Sequence, residues 1–240
     1  MVTILSIDTS GACCSVALSI DDKHFLRRTN TPREHARLVL PMVDELLTEA
    51  AIQLSCLDAI AFTHGPGSFT GLRIGFGVVQ GLAFGAELPV IALSSLQVMA
   101  QRAMRQENLS SDSIIIPAID ARMGELYWGL YSQSNGLAKA LTPDALCPQQ
   151  ELSLPFFEDQ SSNMTLVGVG DGWQYQPELR RGNDVIKPSV VYQNTGPDAE
   201  DILTLAKVAL QEGRVSAIEN VEPVYLRNTI SWKKRQRLNP

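Results

Sequence analysis

The 240-residue chain has no long apolar run: the stretch Ile74–Ala86 is 13 residues, contains Gln80 and is rich in glycine. It is too short to cross a bilayer, so no transmembrane helix is expected. The N-terminal MVTILSIDTS has no basic segment and soon meets Asp8, which argues against a secretory signal peptide and for the cytosol. Cysteine and histidine are scarce. Cys13, Cys14, Cys56 and Cys147 form no CxxC pair, and His24, His35 and His64 allow neither HExxH nor a zinc-finger pattern. Reduced structural thiols, no metal and no cofactor are therefore expected. Composition also excludes disorder, collagen and coiled coil, since 45% of residues are hydrophobic. A chain of this length buries roughly 70–75% of its unfolded surface and needs no disulfide or metal staple. Net charge is −6, unevenly spread. Residues 227–240 hold five bases (Arg227, Lys233, Lys234, Arg235, Arg237) and no acid, leaving −11 on residues 1–226. The body repels a phosphate backbone, while the tail suits a solvated or partner-docking end, or an RNA contact.

Local pattern gives an α/β chain with mixed sheets. Val2–Ile7 and Cys14–Ile20 read as an opening hairpin around Thr9-Ser10-Gly11, ending at Asp21-Asp22. Arg33–Ile52 follows the helical period through Val39, Met42, Val43, Leu46, Leu47 and Ala50, interrupted by Pro41. Strand Leu57–Thr63, a glycine loop and a helix over Gly71–Phe84 come next, the order that builds an anion site. Strand Pro89–Leu93 leads into helix Leu96–Gln106, and Ile114–Asp120 with Leu126–Tyr131 form a second hairpin around Ala121–Gly124. Thr142–Asn163 is punctuated by proline and serine, Thr165–Val169 is a strand, Gly170–Gly172 a turn and Pro197–Gln211 a helix. No internal repeat is visible. A lobe boundary near 105–113 divides the chain into 1–108 and 109–240, with the last helix free to pack back on the first lobe.

Three segments carry possible chemistry. Asp8-Thr9-Ser10-Gly11 is either a holder of metal-bound phosphate or an Asx or Ser/Thr turn satisfying its own amides. Gly65, Gly67, Ser68, Thr70 and Arg73 sit in a loop and first helical turn where an anion would meet free amides, the helix dipole and a guanidinium; a structural glycine turn reads the same way. No Gly-Lys-Ser/Thr closes a Walker loop and Ser68 lacks the GxSxG elbow. A protease would have only Ser68 with His64. The helix after the loop is apolar nearly all round, with Arg73 and Gln80 as its polar strip, so it must be covered all round. Gly75, Gly77 and Gly81 inside it cost about 1 kcal/mol each relative to alanine, offset by close packing against the chain's own sheet or another protein. The preceding helix has an apolar arc of about 180°, wider than the ~100° a surface helix needs. Two such neighbours suggest a partner interface, with Leu38, Met42, Leu46, Gly75, Val78 and Leu82 as candidate contacts.

Ile7-Asp8-Thr9-Ser10, His35-Ala36 with Leu40-Pro41, Leu57–Ile60, the string from Gly65 to Gly75 and Tyr225-Leu226-Arg227 resemble the bacterial TsaB (YeaZ) family over nearly the whole chain. The resemblance implies a two-lobed actin-like ATPase (sugar kinase/Hsp70) superfamily fold. It also implies that Asp8, Ser10, Gly67, Ser68, Thr70 and Arg73 line one cleft between the lobes. The implied role is making threonylcarbamoyladenosine beside the tRNA anticodon, as partner of the paralogue TsaD, which holds the active site, and the ATPase TsaE. A homodimer is expected for the free chain, and tRNA is met only through the complex. TsaD carries a metal-binding His-x-x-x-His pair after the strand that matches Pro89–Leu93. Here Ser95 and Met99 stand at those positions, which implies a non-catalytic paralogue. An independent small-molecule kinase or ATPase of the same superfamily is the alternative.

Overall fold

The structure is a computed structural model, describing residues 2–31, 33–154 and 164–227. Lys233, Lys234, Arg235 and Arg237 of the basic tail, and the last part of Thr142–Asn163, lie outside the described residues. Strands β1 (Thr3–Asp8) and β2 (Cys14–Ile20) form the expected hairpin. An unforeseen third strand, β3 (Lys23–Thr29), adds to its edge after a turn at Asp21, where φ is 51°. Its charges hid it, yet charge is what an edge strand tolerates. Arg27 of β3 reaches Glu45 and Glu49, and Arg28 reaches Asp198 and Glu200.

Helix α1 (His35–Glu49) runs unbroken through Pro41, against the expected interruption. The proline removes one main-chain donor, but buried Val39, Met42, Val43 and Leu46 on both sides of it anchor the helix. Then follow β4 (Ala59–Gly65), α2 (Phe69–Ala86), β5 (Val90–Ser94) and α3 (Ser95–Glu107). At 18 residues and mean hydropathy 1.2, α2 meets a membrane span's length and composition, unlike the 13-residue run seen in the sequence. Its inner side, Leu72, Gly75, Val79 and Ala83, is instead buried on the first sheet.

The second half holds β6 (Ser113–Arg122), β7 (Glu125–Trp128), β8 (Tyr131–Ser134), β9 (Leu137–Ala140), β10 (Ala145–Pro148) and β11 (Glu151–Leu154). After these come β12 (Thr165–Val169), β13 (Glu178–Arg181), β14 (Asp184–Ile186), β15 (Val190–Tyr192) and α4 (Ala199–Gln211). The expected strand Leu126–Tyr131 is split at Gly129: both β7 and β8 pair with β6, at opposite ends of it. Gly170–Gly172 leads into a short 3-10 helix, Asp171–Tyr175.

The first sheet has the order β3-β2-β1-β4-β5, antiparallel across β3, β2 and β1 and parallel across β1, β4 and β5. The main path of the second, β10-β7-β6-β12-β15, repeats that succession of directions. One plan is thus used twice, although no sequence repeat shows it. Alternate residues of β1 serve opposite faces. Leu5 and Ile7 pack with α1 and α2, while Ile4 packs with Ile202, Leu205 and Ala206 of α4. Helix α3 carries Leu96, Met99 and Ala103 onto Ile115, Val167 and Val169 of the second sheet. The fold is the expected α/β one, with mixed sheets flanked by helices.

Candidate functional site

The β1–β2 turn and the loop between β4 and α2 touch backbone to backbone because glycine allows it. Ser68 N donates to Ser10 O at 2.9 Å, and Thr9 Oγ1 donates to Gly71 O at 2.7 Å. A Cβ at Gly67 would lie 2.7 Å from Ser10 O, and one at Gly71 or Gly75 would overlap Thr9. Gly65, with φ of 125°, faces Val224 O in the same manner. These four glycines therefore let the loop and α2 press on the chain's own backbone and on Thr9. Asp8 is fully buried. Its Oδ1 accepts from Ser10 N (3.2 Å), Ser10 Oγ (2.6 Å) and Thr63 Oγ1 (2.5 Å), the self-satisfying turn, while Oδ2 is enclosed without a partner among the described residues. Burial pushes the Asp8 pKa up, and the hydrogen bonds from Ser10 and Thr63 offset only part of the rise.

Between the glycine loop and the β6–β7 turn lies a hollow of about 560 Å³, lined by Ser10, Gly67, Ser68 and Thr70 on one wall and by Asp120 and Arg227 on the other. Asp8, Thr9, Gly65 and Arg73 do not line it. Asp8 and Thr9 are turned inward by the bonds above. Arg73 lies on the outer side of α2, its guanidinium 4.0 Å from the centre of the Phe69 ring and its Nε donating to Tyr225 Oη at 3.3 Å. The hydroxyls of Ser68 and Thr70 and the N-terminal dipole of α2 favour an anion in the hollow. The Ser68 hydroxyl already caps the helix by accepting from Gly71 N, and among the described residues no hydrogen bond joins it to His64. Burial lowers the His64 pKa.

Sequence reasoning missed the opposite wall. Asp120 accepts from Arg122 N and Nη1, both at 2.8 Å, and from Tyr175 Oη at 3.0 Å, so its carboxylate is already committed. It lies near the end of β6, two residues short of its last, as Asp8 lies at the end of β1, a signal that the repeated sheet order exposes and the residues alone do not.

The outward side of α1 and α2 differs from the candidate contact set. Met42 (8% exposed), Leu46 (0%) and Gly75 point inward and cannot meet a partner, because the chain's own core takes that arc of each helix. Leu38, Val78 and Leu82 are half-buried against the same core. More exposed are Leu40 (48%), Phe69 (54%, partly covered by Arg73 and Tyr225) and Phe84 (70%), along with Gly77, Gly81 and Gly85, whose missing side chains would meet nothing within 4 Å among the described residues. Close packing on the chain's own structure thus accounts for Gly71 and Gly75 and leaves the other three glycines bare.

The family model for TsaD, tRNA N6-adenosine threonylcarbamoyltransferase, matches residues 29–229. The tRNA threonylcarbamoyladenosine biosynthesis protein TsaB of Escherichia coli K12 is 42% identical over 233 residues, 96% of this chain and 97% of that protein. The chain belongs to the TsaB (YeaZ) family. The TsaB of Haemophilus influenzae is 36% identical with 97% of both chains covered. YeaZ from Pseudomonas aeruginosa, a solved structure, is 40% identical with a TM-score of 0.85, over 94% of this chain and all of that one. As a TsaB-family member the protein serves tRNA threonylcarbamoyladenosine biosynthesis. In this chain, Ser95 and Met99 are both core residues of α3, and the Ser95 hydroxyl is buried without a partner among the described residues. No three His, Cys, Asp or Glu side chains group as a ligand set among the described residues.

Proposed function

We propose that this protein is a non-catalytic cytoplasmic subunit that binds and supports TsaD, together with the ATPase TsaE, and meets tRNA only through that complex. The observation that carries this reading is the outward face of α1 and α2: bare Gly77, Gly81 and Gly85 and exposed Phe84 on α2, and exposed Leu40 on α1. Three glycines on a solvent-facing stripe weaken a helix by about 1 kcal/mol each, a cost offset when another helix packs against them. The free chain covers the same face by pairing with a second copy. Its lobes are 1–108 and 109–240, with α4 returned to the first. Serine and methionine at the positions of the TsaD ligand pair support the non-catalytic part of the reading.

Size-exclusion of the chain with TsaD and TsaE, with and without ATP, tests it. Leu40→Glu or Phe84→Glu would bury an unpaired carboxylate, costing about 3 kcal/mol, a loss of about a hundredfold in TsaD affinity with folding retained. Wild-type binding by both variants and by Gly81→Leu would move the interface elsewhere. The hollow between the lobes favours one other reading, an independent small-molecule kinase or ATPase. ATP turnover by the isolated chain, lost in Ser68→Ala, would establish that one instead.

A further inference from the structure

The last described segment joins the two walls of the hollow. Ser216 pairs with Val90 at the edge of the first sheet and Ile218 is buried in the first core. Val224 N then donates to His64 O at 2.7 Å, so that Val224 O comes to sit over Gly65. Tyr225 lies on Phe69 with ring centres 5.3 Å apart, and its hydroxyl accepts from Arg73 Nε. Two residues later the chain grips the other lobe. Arg227 Nε donates to Glu125 Oε2 at 3.0 Å, and Nη2 donates to the same carboxylate, to Ala121 O (3.2 Å) and to Arg122 O (3.1 Å). Its side chain is largely covered, at 18% exposure. A planar guanidinium can satisfy a carboxylate and two turn carbonyls together, whereas a lysine ammonium lacks that fork. Arg122 and Met123 hold positive φ values of 65° and 57° in the turn that supplies those carbonyls.

We propose that residues 222–227 are a strap through which the two walls of the hollow fix each other's position, with Arg227 as the positioning residue. The residues before it hold the His64–Arg73 stretch of the first lobe, and Arg227 holds the β6–β7 turn of the second. Loosening either anchor then loosens the wall across the hollow, an effect that a merely local role for Arg227 would not produce.

Amide hydrogen exchange on the full, free chain tests this, independently of whether α2 docks TsaD. Arg227→Ala is expected to speed exchange at least about threefold in both 64–70 and 120–127, with peptides of β2 and α4 unchanged. Glu125→Ala, a change in the second lobe only, is expected to speed exchange in 64–70 as well. Arg227→Lys, which keeps the charge pair but not both carbonyl bonds, is expected to fall between wild type and alanine. It carries the test with Glu125→Ala if Arg227→Ala does not fold. Wild-type exchange in 64–70 for Glu125→Ala, or acceleration confined to 120–127, would overturn the proposal.

Discussion

Asp8 ends β1 with one carboxylate oxygen taking three hydrogen bonds and the other enclosed. Burial raises its pKa above the ordinary 3.8. The folded state therefore holds the proton more tightly than the unfolded one. This group's contribution to stability is full below 3.8 and declines as pH rises through the folded-state value. Asp8→Asn keeps an acceptor for Ser10 and Thr63 and has no proton to lose. Relative to wild type, the asparagine variant should gain stability as pH rises from about 4 in urea titrations between about pH 3 and 8, and parallel profiles would refute it. Asp198 behaves oppositely. Burial pushes its pKa up, but the Arg28 hydrogen bond, the Glu200 amide and the charges of Arg28 and Arg102 outweigh that and lower it. Its contribution is present above 3.8 and is lost as pH falls through the depressed value. The Asp-Thr-Ser tripeptide announced a polar turn; which way each oxygen points depends on Thr63 and Gly71, more than fifty residues away.

The elements divide according to how local their causes are. The 3.6-residue period of α1 was legible despite Pro41, and the glycine-rich α2 was legible as a helix apolar on nearly every side. What a period cannot reveal is which arc the sheet covers. Gly71 and Gly77 show the difference. Gly71→Ala would drive a methyl into the Thr9 carbonyl and should cost about 2 kcal/mol or more. Gly77→Ala meets open space and should stabilise the free chain by about 1 kcal/mol, raising Tm by about 2–4 °C. Thermal unfolding of both variants checks the pair, and equal effects would mean that α2 is seated differently. Strands β3, β8–β11 and β13–β15 were not legible, being short or charged and existing only through the strands beside them.

At the scale of the whole molecule, the two halves hold each other together across the chain order. α4, near the end of the described chain, covers the face of the first sheet that α1 and α2 leave open, with Ile202, Leu203, Leu205 and Ala206 against Ile4, Ala59, Ala61 and Leu93. Ser94, the last residue of β5, donates to Asp144 Oδ2 at 2.5 Å, and Tyr131 of β8 donates to Oδ1 at 2.6 Å. A fragment 1–108 would leave the α4 face wet. It should lack cooperative unfolding and bind a hydrophobic dye, unlike 1–227; cooperative melting of the fragment would show the first lobe to be self-sufficient. The sequence by itself determined the helices, the glycine loop, the α/β class and the family, because side-chain period and glycine's conformational freedom are properties of neighbouring residues. Only the tertiary structure decided that Asp8 and Arg73 turn away from the hollow, that Met42 and Leu46 are core, and that Arg227 spans to Glu125. Those outcomes depend on what distant segments cover or leave open, which no local pattern encodes.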